Sequence, residues 1–169
     1  MDTIKHLWTP SLSSQPSPLP GAGSAPLPVA AAEAVAPPVD WRAFYARLLE
    51  LEGYKPSIDD DGDLRFKHEN WHLCLNRDAR DAEYFRLILP NFWSLDGDAE
   101  RVRAERAADR VNRQMKVAKV HSAAGRSMWA TVEMFVAEPG HAAPVLMRCI
   151  RILPEAALLF RAVMATLDS

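Results

Sequence analysis

The stretch Leu64-Arg65-Phe66-Lys67-His68-Glu69-Asn70-Trp71-His72-Leu73-Cys74-Leu75 decides the fold. Apolar and polar residues alternate through Leu64–His68 and again through Trp71–Leu75, which is the period of half-buried strands. Glu69-Asn70 between them is short enough for a hairpin connection. Upstream, Asp59-Asp60-Asp61-Gly62-Asp63 has the composition of a turn. Before that, Asp40 precedes Trp41, Phe44, Tyr45, Leu48, Leu49 and Leu51, and Gly53 closes the run. Their i, i+3, i+4, i+7 spacing predicts a capped amphipathic helix over residues 41–52.

Downstream, Tyr84–Leu89 reads as a third strand that Pro90 is expected to stop. Asp98–Lys116 reads as a second helix whose apolar stripe is Ala104, Ala107, Ala108, Val111 and Met115, mostly small residues that permit close approach to a neighbour. Val117–Ser122 and Met128–Val136 form a predicted hairpin about Ala123-Ala124-Gly125-Arg126. Pro144 is expected to open a C-terminal helix running to about Leu167, with a kink near Ile150–Pro154 because Pro154 lacks a backbone donor. Its apolar residues cover about half the circumference, wider than packing on one sheet face requires, which points to a homodimer.

The order is α-β-β-β-α-β-β-α, an α+β fold with an antiparallel five-stranded sheet packed by helices. Alternation assigns Leu64, Phe66, Leu73, Leu87, Val120 and Val132, among others, to the covered face. To the outer face it assigns Arg65, Lys67, His72, Tyr84, Arg86, Ile88, Lys119, His121, Trp129, Thr131, Glu133 and Phe135. Large aromatics among basic groups on a nominally solvated face mark a contact surface, and Tyr84, Arg86, Trp129 and Phe135 are the candidate partner-binding residues.

Composition fixes the domain limits. Eight of the 13 prolines fall in residues 1–39, which hold only three charges, Asp2, Lys5 and Glu33. That segment has too few large apolar groups to offset the entropy of ordering it, so residues 1–39 are expected to be a disordered Pro/Ala-rich tail and linker. Residues 40–169 are expected to be the folded domain. Within the tail, Ile4-Lys5-His6-Leu7-Trp8 is the densest cluster of large apolar side chains. The start of the chain does not read as a signal peptide, and Cys74 and Cys149 sit inside apolar segments. A cytoplasmic location with reduced, buried thiols is expected. The net charge of −2 gives no global attraction to nucleic acid, and no apolar run approaches a membrane span.

The segments LEGYKPSIDDDGDLRFKHEN, EYFRLILPNFW, RVNRQMKVAKV and WATVEMF, in this order and spacing, resemble the YbjN-type bacterial domain, a sensory transduction regulator family. The resemblance runs from about Trp41 to Leu167. It implies a type III secretion chaperone-like fold, with dimerisation and binding of extended protein segments on sheet and helix surfaces. It supplies no catalytic residues.

Three patterns suggest other chemistry. His68-Glu69-Asn70-Trp71-His72 matches H-E-x-x-H, in which two His one helical turn apart bind zinc and the Glu polarises a water. Here it straddles a predicted turn, and a zinc hydrolase is the weakest alternative. Asp59–Asp63 resembles the middle of a calcium loop, but alignment on Gly62 puts Ser57 and His68 where carboxylates belong. Arg103, Arg106, Arg110 and Arg113 share one side of the second helix, the basis of an alternative reading as a nucleic-acid-associated regulator. Asp109 and Glu100 are spaced to pair with them. The expectation is a non-catalytic module without metal or cofactor that binds a partner protein or peptide segment, in bacterial signalling or stress.

Overall fold

A computed structural model of the chain describes residues 40–77, 81, 83–123 and 126–167. The expected tail, residues 1–39, lies outside the described residues. The elements are α1 (Trp41–Leu51), β1 (Ser57–Ile58), β2 (Leu64–His68), β3 (Trp71–Arg77), β4 (Tyr84–Ser94), α2 (Asp98–Gln114), β5 (Ala118–Ala123), β6 (Ser127–Phe135) and α3 (Pro139–Leu167). The strands form one antiparallel sheet in the order β1-β2-β3-β4-β6-β5. The class is α+β as expected, but the sheet has six strands rather than five.

The additional strand is β1, whose two residues are too few to show any alternation. The acidic turn holds it in place. Asp59 Oδ1 accepts from the backbone N–H groups of Asp61 and Asp63 at 3.1 and 2.9 Å, and Asp59 N–H donates to the Asp63 carbonyl at 3.0 Å. This closed loop lays Ser57 and Ile58 against Arg65 and Leu64. Gly62 has φ +82°, a conformation that favours glycine, and a Cβ there would also push on the Arg42 guanidinium at 2.8 Å. Arg42 Nε donates to the Gly62 carbonyl at 2.6 Å, tying α1 to the turn.

Pro90 does not end β4. The register passes from Leu89↔Ala130 to Trp93↔Met128, so β4 carries two more residues than β6 across this interval. Asn91 takes φ +52° within the resulting bulge. Proline is tolerated at such an irregularity because no ladder bond is asked of it.

Asp40 caps α1 by accepting from Arg42 N–H at 3.0 Å, and Gly53 with φ +86° ends it. On α2 the small-residue stripe is buried at Ala104, Ala107, Ala108 and Val111. α3 begins at Pro139, five residues before Pro144, and continues through both Pro144 and Pro154. Proline suits the first turn because its missing N–H has no intrahelical partner there. α3 packs against α1, α2, β4, β5 and β6. Its wide apolar stripe is therefore absorbed within the chain, with Val145 and Leu158 remaining exposed at 40% and 55%. The stripe width, explained by three-sided internal packing, no longer argues for a dimer.

α2 and β5 are joined through Val117, which has φ +63° while its side chain is exposed. Ala118 N–H donates across it to the Lys116 carbonyl at 2.8 Å, forming a three-residue turn. A β-branched residue in left-handed backbone is strained, and the side chain gains little burial in return. Val117→Gly is predicted to stabilise the domain by about 1 kcal/mol, the relief of strain exceeding the added unfolded-state entropy. Urea denaturation checks this, and an unchanged or lower midpoint refutes it.

Candidate partner-binding face

The helices cover the face bearing Leu64, Phe66, Leu73, Leu87, Val120 and Val132, all buried in one cluster with the inner residues of α1, α2 and α3. The opposite face carries every candidate residue named from the sequence. Tyr84 stands opposite Phe135 and Arg86 opposite Glu133, as the alternating register requires.

Two groupings result. At one end, the Tyr84 and Phe135 rings lie 6.1 Å apart, tilted by 57°. Phe135 is 75% exposed, the most of any large apolar side chain among the described residues. Tyr84 is half-buried, and its hydroxyl pKa is raised by desolvation and then by the Glu133 charge. In the middle, Glu133 receives a hydrogen bond from Lys119 Nζ at 2.7 Å and lies 3.4 Å from Arg86 Nε. Burial pushes the Glu133 carboxyl up, but the Lys119 hydrogen bond and charge, followed by Thr131 and Arg86, outweigh it and hold it below its ordinary range. The fully buried Thr131 hydroxyl lies near enough to help hold that charge, yet completes no hydrogen bond of good geometry.

Arg86 also lies over the Trp129 ring, 5.8 Å from its centroid. Arg86 is level with Glu133, and Trp129 is four residues further along the same strand. The guanidinium must therefore reach across the Ile88–Thr131 row between them. This roof corrects the expectation of a uniformly solvated face: Ile88 and Thr131, assigned to the wet side, are 5% and 0% exposed. Trp129 is fixed from the other direction, because its Nε1–H donates to Asn91 Oδ1 at 3.1 Å and Ser127 Oγ donates to the same oxygen at 2.7 Å.

Asn91, Lys119 and Glu133 complete the site and were not among the named candidates. Lys119 and Glu133 were already assigned to the outer face, and their opposite charges on it were the available signal. Asn91 reaches the face only through the bulge, and nothing in the local sequence announces that.

The H-E-x-x-H residues are separated by the hairpin. His68 pairs with Trp71 and His72 with Lys67, so the two imidazoles lie on opposite faces of the sheet. Tyr54 Oη lies 2.9 Å from His68 Nδ1. No group of three or more His, Cys, Asp or Glu side chains is placed to hold a metal among the described residues. Asp59, the first acid of the supposed calcium loop, is occupied by backbone donors and by Arg65. On α2, Asp109 pairs with Arg113 at 3.1 Å, and Glu100 accepts from Trp93 Nε1 and the Asp96 N–H. Both cysteines are buried. Desolvation, then the Asp63 carboxylate, pushes the Cys74 thiol up to about 12, so it stays protonated at neutral pH. No helix among the described residues is long and apolar enough to cross a membrane.

No protein-family model, curated protein or solved structure matches the chain.

Proposed function

We propose that this chain is a cytoplasmic, non-catalytic protein-binding module, chaperone-like or regulatory, that takes a segment of a partner protein on the outer face of its sheet. Residue order and segment spacing like those of YbjN-type domains support the reading. The observation that carries it is Phe135. A large ring is held against Tyr84 in open solvent, next to a braced layer in which Arg86 and Lys119 already share Glu133. Aromatic anchors presented in a fixed orientation lose little freedom on binding and dominate protein interfaces where they occur.

The test is affinity capture from native cytoplasm by the full chain and by its Phe135→Ser variant. Phe135 is so exposed that the substitution should change stability by no more than about 0.5 kcal/mol. Retention of the partner is expected to fall about tenfold or more. The same proteins retained in the same amounts by the variant would sink the proposal. Trp129→Ser should weaken capture as well, but at some cost in stability, because its indole is packed under Arg86 and bonded to Asn91.

A further inference from the structure

Among the described residues β5 is the last strand of the sheet, with β6 on one side and no strand on the other. An edge of this kind presents a row of N–H and C=O groups that can template another strand. Here the middle of that row is occupied by a side chain. Asn112, on the last turn of α2, accepts from Val120 N–H through Oδ1 at 2.7 Å and donates to the Val120 carbonyl through Nδ2 at 3.0 Å. A side-chain amide thus makes the paired donor and acceptor contacts that an incoming strand would make. On either side of it, the Ala118 N–H is turned back to the Lys116 carbonyl at 2.8 Å, and the Ser122 carbonyl lies 3.1 Å from His121 Nδ1. The opposite edge is managed differently, by the two-residue strand β1 directly after Pro56.

Asn112 does not owe its place to helix formation, since Asn is a weak helix former and the side chain is largely exposed. Its two bonds go to β5 instead. We infer that Asn112 is an edge latch: it occupies the groups through which β5 would add a strand from a second copy of this chain, and so stops the sheet from extending. The latch is independent of the partner-binding face.

The test compares the full chain with Asn112→Ala by sedimentation across the micromolar range, and follows exchange of the Val120 amide proton. Alanine favours the helix, so lost protection at Val120 reports the latch and not a melted α2. Exchange at Val120 should accelerate about tenfold or more, and the variant's mass should rise with concentration where the wild-type mass does not. Adding Ser122→Pro should restore the wild-type mass. Ser122 lies two residues from Val120, with its N–H on the same outward side, where an edge strand tolerates proline and a further strand cannot pair. An opened Val120 amide with unchanged mass overturns the inference, as does association that Ser122→Pro leaves intact. Should Asn112→Ala fail to fold, Asn112→Leu, which removes both the acceptor and the donor at similar side-chain size and favours the helix, carries the same measurements.

Discussion

Phe160→Ala is expected to cost about 3–5 kcal/mol of unfolding free energy, the range for emptying a large aromatic site in a core. Phe160 is fully buried on α3, and it meets Phe92 and Trp93 edge-on at centroid distances of 5.2 and 5.7 Å. Phe92 lies within the bulge, and Trp93 is the residue at which β4 resumes pairing with β6. The pocket walls are stiff because Trp93 Nε1–H is bonded to Glu100 at the start of α2, so collapse into the vacated space is limited. A domain of this size is stable by only about 5–15 kcal/mol, and the loss takes a large share. Urea denaturation followed by tryptophan fluorescence measures it. A cost below about 1 kcal/mol would mean that the bulge does not fix this corner of the core.

Glu133→Gln is expected to cost about 1–2 kcal/mol at neutral pH, since it keeps the shape but removes the charge that Lys119 and Arg86 share. The pH dependence is the sharper signature. Because the Glu133 carboxyl is held below its ordinary range in the folded chain, the unfolded chain takes up its proton first as pH falls. The stabilisation is full above the ordinary glutamate range, near pH ~4.3, and drains away as pH drops toward the folded-state value. The Gln variant should lack this increment, so its stability and that of the wild type converge in acid. Parallel pH profiles for the two proteins would show that the network holds no net charge stabilisation.

The sheet was legible where its period was clean. Leu64 to Leu75 alternates without interruption, and every pairing from Leu64↔Leu75 to His68↔Trp71 follows from a two-residue connection. The small stripe of α2 was equally plain, because a 3.6-residue period over Ala104 to Val111 leaves one buried face. Three features were not legible. β1 is shorter than one alternation. The β4 bulge depends on Met128 and Trp93 finding each other across an irregularity, a tertiary preference that outweighed the breaking tendency of Pro90. α3 starts at Pro139 because proline costs little in a first turn, and the nearer signal at Pro144 concealed it.

The four candidate residues were found because sheet alternation puts them on one side. What they do to one another was hidden, since Arg86 bridging to Trp129 crosses a row and connects side chains 43 positions apart in sequence. The roof over Ile88 and Thr131 was missed for the same reason.

Among the described residues α3 follows every strand in the chain and packs against more elements than any other, closing over β4, β5 and β6 while flanked by α1 and α2. During synthesis the entire strand set is therefore complete before α3 exists. Leu87, Met128, Ala130 and Val132 must wait, facing water, until the residues after Pro139 have emerged. At about 5–20 residues per second, the 29 residues of α3 take one to several seconds to appear. For that interval the sheet of the nascent chain lacks the helix that packs against β4, β5 and β6 together, and a ribosome stalled short of Leu146 leaves it so.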